Sequence, residues 1–85
     1  MTRIELCLDH ISPDTREAML EIIYNELRIS PGEITADGNF ELDLTNHDPE
    51  TANPDNAPYV RIDGLLFLNV TAQRMRELIN GRKKR

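Results

Sequence analysis

Residues 57–79 read APYVRIDGLLFLNVTAQRMRELI, and this stretch decides the fold. Asp63-Gly64 separates two apolar runs and is typical of a two-residue β-hairpin, because the turn needs positive φ at both central positions. Thr71 is a good N-cap for the following helix, since its hydroxyl can accept a hydrogen bond from a free amide of the first turn. The stretch therefore predicts strand, tight turn, strand and capped helix, with a helix stop at Asn80-Gly81.

The first half of the chain predicts a strand, a helix and a second strand. Residues 3–8 and 39–45 alternate apolar and polar side chains, and a period of two is typical of a half-buried strand. Ser12-Pro13 begins the helix between them, because serine caps the free amides and proline fits the first helical position. We expect that helix to end at residue 27 or 28, before Ser-Pro-Gly at residues 30–32.

The predicted order β-α-β-β-β-α gives an α/β (α+β) fold with a mixed four-stranded sheet and helices packed on it. A strand, helix and strand in sequence favour a parallel, right-handed crossover, whereas the hairpin adds antiparallel pairing. We expect one domain over residues 1–85, with a basic tail at 81–85. The residues expected to form its core are Leu6, Leu8, Met19, Ile22, Ile23, Leu27, Phe40, Leu42, Leu44, Val60, Ile62, Met75, Leu78 and Ile79.

Composition excludes several classes of protein. The 85 residues carry a net charge of −5, which disfavours general nucleic-acid binding because phosphate neutralisation supplies most of that affinity. No apolar run approaches the roughly 20 residues that span a bilayer. The single cysteine, Cys7, allows no internal disulfide and no four-thiolate metal site, and it favours a reducing, cytoplasmic location. The sequence contains no Ser-His-Asp order, P-loop or dinucleotide fingerprint.

Two motifs carry a resemblance to a known family. Residues 32–42 read GEITADGNFEL and resemble the G-E-T-T-x-D-G-x-F-x-L stretch of thioredoxin-like [2Fe–2S] ferredoxin domains. Residues 57–64, followed by Val70-Thr71 at the last helix, resemble the family ending A-P-x-x-x-V-N-G…L-T. These domains form the small flavin-side subunit of NADH dehydrogenase and of related NAD(P)-linked hydrogenases and formate dehydrogenases. The resemblance implies a thioredoxin-like fold and a cis peptide bond between Ala57 and Pro58.

The same resemblance locates the positions that hold the cluster in the family. Its members use four cysteines, two in C-x₄-C after the first strand and two in C-x₃-C before Ala-Pro. Here those positions match Cys7, Ser12, Glu50 and Pro54. Iron–sulfur clusters take soft thiolate ligands, and three of the four positions lack one. We therefore expect no cofactor and no metal, and do not extend the resemblance to electron transfer.

The leading hypothesis is a cluster-less, non-catalytic module that binds a protein partner or has a structural role in a NAD(P)H-linked redox complex. Its expected partner is a flavin- or iron–sulfur-containing subunit. Two alternatives stay open: an electron-transfer subunit whose [2Fe–2S] cluster is shared between two chains through Cys7, and a thiol-dependent redox protein that uses Cys7. A zinc site that combines Cys7 and His10 with loop carboxylates has no supporting ligand spacing.

The expected binding surface lies on the two loops that frame the cluster in the family, residues 7–12 and 46–56. The second loop is long, polar and interrupted by prolines, as binding loops often are. Its acidic side chains favour a basic patch on the partner, and an aromatic anchor is expected beside it. The residues of this surface are Asp9, His10, His47, Asp48, Glu50, Asp55, Pro58 and Tyr59.

Overall fold

The computed structural model describes residues 1–46 and 53–83. Its elements follow the predicted order and types, which confirms the α+β class with a mixed four-stranded sheet. In chain order they are β1 (Thr2–Cys7), α1 (Pro13–Leu27), β2 (Phe40–Thr45), a 3₁₀ turn (Pro54–Asn56), β3 (Val60–Ile62), β4 (Leu65–Phe67) and α2 (Ala72–Lys83).

The sheet has the strand order β2-β1-β3-β4. β1 pairs in parallel with β2 and antiparallel with β3, and β3 pairs antiparallel with β4. Asp63 and Gly64 have φ values of 51° and 86°, as a two-residue hairpin with positive φ at both positions requires. The predicted crossover and hairpin are therefore both confirmed.

One face of the sheet and both helices share a single core. In β1, Ile4 lies opposite Ile62 and Leu6 lies opposite Val60, and all of these side chains are buried. α1 adds Met19, Ile23 and Leu27 at a helical spacing of four, and α2 adds Met75 and Ile79. Because helix residues and alternate strand residues belong to the same cluster, both helices pack on the same side of the sheet.

The observed core differs from the predicted core at its periphery. Leu44 is 38% exposed, because β2 is an edge strand and Leu44 has a strand neighbour, Leu6, on one side only. Leu8, Ile22 and Leu78 are partly buried and pack against the cluster. The core also contains Ile4, Ile29 and Val70, which the predicted core set omitted.

The predicted stop of the last helix at Asn80-Gly81 is wrong, since α2 continues to Lys83. Arg82 pairs with Asp63 at 3.5 Å, and the Lys83 ammonium donates to the Glu26 carbonyl at 3.2 Å. These contacts with the hairpin and with α1 offset the roughly 1 kcal/mol that a glycine costs inside a helix. The first residues of the expected basic tail are therefore helical and paired, while residues 84–85 lie outside the described part of the chain.

The second face of the sheet is polar, and neither of the two described helices packs on it. Arg3 lies between three carboxylates there, at 3.5 Å from Glu5, 3.6 Å from Glu41 and 2.9 Å from Asp43. Arg3 is half exposed, so each of these ion pairs contributes at most about 1 kcal/mol. These ion pairs balance the charges on the exposed face of the sheet and contribute little to the stability of the fold.

We expect Ile23→Ala to lower the free energy of unfolding by roughly 2–5 kcal/mol, because Ile23 is fully buried and its loss leaves a cavity. Chemical denaturation of both proteins measures the difference. Leu44→Ala is the matched control and should cost less than half as much, since Leu44 is partly solvated. A cost below about 0.5 kcal/mol for Ile23→Ala would contradict the packing of α1 on the sheet.

Candidate functional site

The loops that carry the predicted site residues meet at the carboxyl end of β1. The Cys7 amide donates to the Tyr59 carbonyl at 3.2 Å, and the Leu8 amide donates to the Thr45 carbonyl at 2.8 Å. Because β1 lies between β2 and β3, the segments that leave β1 and β2 and the segment that enters β3 share this end. We call it the loop end, defined by residues 8–12 and 53–59.

The structure places part of the predicted binding surface at the loop end. His10 and Asp55 are exposed, and Asp9 and Pro58 are half-buried. His10 has a φ of 62° and so turns the chain between β1 and α1. His47, Asp48 and Glu50 lie outside the described residues.

Cys7 is buried at the end of β1, with only 3% of its surface exposed. By strand alternation its side chain lies on the polar face of the sheet, outside the main core cluster. The thiol donates to the Asp9 carboxylate at 3.4 Å. A substrate could not reach the buried sulfur without local rearrangement, so the geometry does not favour the thiol-redox alternative.

Ser12 serves as the N-cap of α1, as its position before Pro13 predicted. Its hydroxyl oxygen accepts the Thr15 amide at 3.1 Å and donates its own hydrogen to Thr15 Oγ1 at 3.0 Å. N-cap bonds of this kind stabilise a helix by about 0.5–2 kcal/mol. The hydroxyl at the second family ligand position is therefore already used within the chain.

Pro54 begins the 3₁₀ turn, and it has no side-chain donor atom. The preceding Asn53 caps this turn, since its side-chain oxygen accepts the Asp55 amide at 2.9 Å. The peptide bond between Ala57 and Pro58 is cis, as the resemblance implied. The fourth ligand position thus belongs to a turn that is organised by its own hydrogen bonds.

Tyr59 does not serve as an exposed aromatic anchor, which corrects the sequence expectation. Its side chain is 1% exposed, and its hydroxyl donates to the Asn53 carbonyl at 2.5 Å. Like Cys7, it is buried outside the main core cluster. Strand alternation puts Tyr59 on the face of the sheet opposite Val60 and Ile62, but it does not indicate that a loop covers that part of the polar face. In this structure Tyr59 therefore stabilises the described part of the loop through its hydroxyl.

Asn69 is a second residue that stabilises the loop end by hydrogen bonds, and it is not among the residues predicted from the sequence. Its amide donates to the Asn56 carbonyl at 2.9 Å. With its side-chain amide oriented so that both hydrogens find acceptors, it also donates to the carbonyls of Asp55 and Ala57, at 3.1 and 3.2 Å. Asn69 has a φ of 53°, and asparagine tolerates this conformation well. In the sequence, the feature that indicates this role is an asparagine two residues before the Thr71 N-cap.

The donor set at the loop end does not fit a [2Fe–2S] cluster. The sequence supplies one thiolate, at Cys7, where the family uses four. The Ser12 hydroxyl is engaged as a helix cap, and Pro54 offers no ligand atom. Hard oxygen donors are poor substitutes for thiolates at iron–sulfur sites.

Within residues 1–46 and 53–83, histidine, cysteine, aspartate and glutamate side chains form no group of three or more that could hold a metal ion. In the same ranges, neither α1 nor α2 is long and apolar enough to cross a membrane.

Comparison with known proteins shows the fold. No family model matches the sequence. No curated protein matches it either. Among solved structures, the chain resembles an NAD⁺-reducing [NiFe]-hydrogenase in the H₂-reduced state, with a TM-score of 0.80 and 22% sequence identity. The match covers 99% of this chain but 14% of the hydrogenase chain, so the protein corresponds to a small part of that molecule.

We expect Tyr59→Phe to lower the free energy of unfolding by about 0.5–1.5 kcal/mol, because it removes the hydrogen bond to the Asn53 carbonyl and keeps the ring. Amide hydrogen exchange at residues 55–57 should become faster as the turn loosens. Tyr24→Phe is the matched control, since the Tyr24 ring is 48% exposed, and it should change neither quantity. Unchanged exchange in Tyr59→Phe would show that other bonds fix the turn.

Proposed function

We propose that this thioredoxin-like domain is a non-catalytic, protein-binding module of a NAD(P)-linked redox complex in the cytoplasm. The observation that carries the proposal is the altered chemistry at the loop end. Three of the four family ligand positions lack a thiolate, yet the described part of the loop is held by hydrogen bonds within the chain. The fold is shared with a redox protein, whereas three of the four thiolates of the resembled family are missing from the sequence.

The structural similarity to the hydrogenase chain supports a redox subunit as the kind of partner. That structure is of an enzyme that reduces NAD⁺, and 99% of this chain superposes on a segment of it. Because the matched segment is only 14% of the hydrogenase chain, a separate chain with the same fold suits a role as one part of a larger redox assembly. We therefore propose a flavin- or iron–sulfur-containing subunit as the partner.

The loop end is the surface proposed for this docking. Asp55 is exposed there, and the fixed turn presents it at low entropic cost because Asn53, Tyr59 and Asn69 already order the backbone. Exposed carboxylates at the rim of an interface mainly raise the association rate with a basic surface. The partner face is therefore expected to carry lysine or arginine side chains.

We expect the purified protein to be colourless, with no stoichiometric iron after anaerobic reconstitution. The combined variant Ser12→Cys, Glu50→Cys and Pro54→Cys should instead gain visible iron–sulfur absorption and about two iron atoms per chain. Iron analysis and absorption spectra measure both proteins. Ser12→Ala controls for loss of the helix cap without adding a thiol.

Each outcome of this experiment has a distinct meaning. About two iron atoms in the parent protein would contradict the cluster-less proposal, and about one would indicate a cluster shared between two copies through Cys7. A folded triple variant that stays colourless would show that the family ligand positions are wrongly assigned here.

We expect a partner that co-purifies with the intact protein in a pull-down experiment to bind at the loop end. Asp55→Asn should slow association severalfold and weaken its salt dependence, because steering by the carboxylate is lost. Glu21→Gln, an exposed carboxylate on α1, is the matched control and should leave the rate unchanged. Chemical-shift changes confined to the outer face of α1 or to residues 82–83, with residues 8–12 and 53–59 unaffected, would contradict this docking.

A further inference from the structure

The two edges of the sheet differ in how they are protected. At one edge the chain folds back along β2, where the Gly32 amide donates to the Leu42 carbonyl at 2.7 Å and the Leu42 amide donates to the Glu33 carbonyl at 3.1 Å. β2 also carries Glu41 and Asp43, and charged side chains on an edge strand discourage pairing with another molecule. At the other edge, β4 carries no charge, and no strand of residues 1–46 or 53–83 lies beyond it.

β4 and the residue after it form a continuous apolar segment on the surface. Residues 65–68 read LLFL, and we call this segment the β4 edge. Leu65 is 61% exposed and Leu68 is 48% exposed, while Leu66 and Phe67 are half-buried. Proteins usually interrupt an exposed edge strand with lysine, proline or a bulge, because an unprotected edge pairs with another strand. None of these devices is present in the LLFL segment, so the β4 edge favours pairing.

The backbone groups that β4 presents to solvent are those of Leu66. Tyr59 and Asp63 flank β3, and each makes a backbone hydrogen bond to β1, so Arg61 midway between them also turns its backbone groups toward β1. The residue of β4 opposite Arg61 is Leu66, and its amide and carbonyl therefore point away from β3. Within residues 1–46 and 53–83, neither group has a hydrogen-bond partner.

One flank of α2 continues the apolar surface above the β4 edge. Arg76 pairs with Glu26 of α1, which defines the flank of α2 that faces α1. Leu78 is two residues further along α2 and so lies about 200° around the helix, on the opposite flank. Because α1 connects β1 to β2 on the same face of the sheet, that opposite flank lies toward β4. Leu78 is half-buried there.

The charged side chains beside the β4 edge have neighbours of opposite charge within the chain. They are Asp63 with Arg82 and Arg74 with Glu77, each at 3.5 Å, and Arg61, which lies opposite Glu5 of β1. A charged segment docked on this edge would lose the hydration of its charges without gaining a partner. An uncharged apolar edge is the suitable complement, and a second copy of the chain offers one.

We propose that the β4 edge binds the β4 edge of a second copy, as antiparallel strands related by a two-fold axis at Leu66. An antiparallel hydrogen-bonded pair exchanges both of its bonds, so the amide and carbonyl of Leu66 are satisfied together by Leu66 of the second copy. Leu65 then lies opposite Phe67 of the second copy, and the symmetry forms this contact twice. Cross-strand pairs of an aliphatic and an aromatic side chain stabilise such a ladder.

The proposed interface is small. Each copy contributes a three-residue strand and one flank of α2, which is less than the roughly 800 Å² per partner of a standard interface. We therefore expect a dissociation constant of about 0.1–1 mM. The β4 edge contains no residue of the loop end, so the inference is independent of the proposed function.

Sedimentation equilibrium and amide NMR spectra of the intact protein, from about 20 μM to about 2 mM, test the inference. The average mass should rise toward that of a dimer, and concentration-dependent shifts should centre on residues 65–68. Hydrogen exchange at the Leu66 amide should slow by about threefold at the highest concentration, because pairing protects the amide. In a mixture of labelled and unlabelled protein, filtered NOEs should join the Leu65 methyl groups to the Phe67 ring of the second copy.

A charge-bearing variant tests the contact itself. Leu65→Lys should weaken association at least about tenfold, because a lysine on an edge strand opposes pairing. Leu65 is mostly exposed, so the amide spectrum of the dilute variant should match that of the dilute parent outside residues 63–67. Ile34→Lys is the matched control, since Ile34 is 52% exposed at the other edge of the sheet, and it should leave association unchanged.

Several results would overturn the proposal. These are a protein that stays monomeric at about 2 mM, a Leu65→Lys variant that associates like the parent, and a dimer in which exchange at the Leu66 amide is unchanged. Concentration-dependent shifts centred on α1 or on the loop end would place the contact elsewhere. A co-purifying protein that shifts residues 65–68 of a monomeric chain would assign the β4 edge to that protein instead.

Discussion

The hydrogen bonding of β1 on both sides is the constraint on which the rest of the structure depends. β1 joins a parallel neighbour, β2, to an antiparallel neighbour, β3, and its residues Ile4 and Leu6 lie at the centre of the core. A parallel pair needs a crossover, which α1 supplies, and α1 must then cover the same face that α2 covers. The other face of the sheet is left to Arg3 and its carboxylate neighbours.

This arrangement separates two chemically different ends. Both helices begin at the loop end and finish at the opposite end of the sheet, whereas the two parallel strands run from that opposite end to the loop end. Polar side chains and carbonyls order the loop end through Tyr59, Asn53 and Asn69. Each such bond contributes about 0.5–1.5 kcal/mol, so together they stabilise the described turn through groups within the chain. A metal-dependent loop would instead couple its order to metal binding.

Local chemistry made much of the fold predictable from the sequence. The Asp63-Gly64 hairpin and the Ser12 and Thr71 caps each depend on a few adjacent residues, and all three are present. The incorrect predictions concern residues whose structure depends on tertiary contacts. Gly81 remains helical because Arg82 and Lys83 contact other elements.

The same reason explains what the sequence missed at the two ends. Tyr59 is buried at the start of β3, and its hydroxyl donates to the Asn53 carbonyl of the preceding turn, a contact that strand alternation alone does not predict. Ile34, Arg28 and Phe40 line one cavity from three different segments, and no spacing along the chain predicts that they lie near one another. The period of apolar residues, two in strands and 3.6 in helices, indicates which face of its element a residue occupies. It does not indicate which other segment of the chain covers that face.

The two ends are also rigidly linked, and this bears on how the domain can work in a complex. Cys7 and Thr2 are the ends of one strand, and six residues of strand span about 20 Å, so the surfaces are separated by most of a 35 Å molecule. Strand β1 has neighbours on both sides and is fully embedded in the sheet, so it cannot shorten or bend without breaking the core. A partner bound at the loop end would therefore leave the opposite end of the sheet accessible, at a fixed distance and orientation from the bound surface.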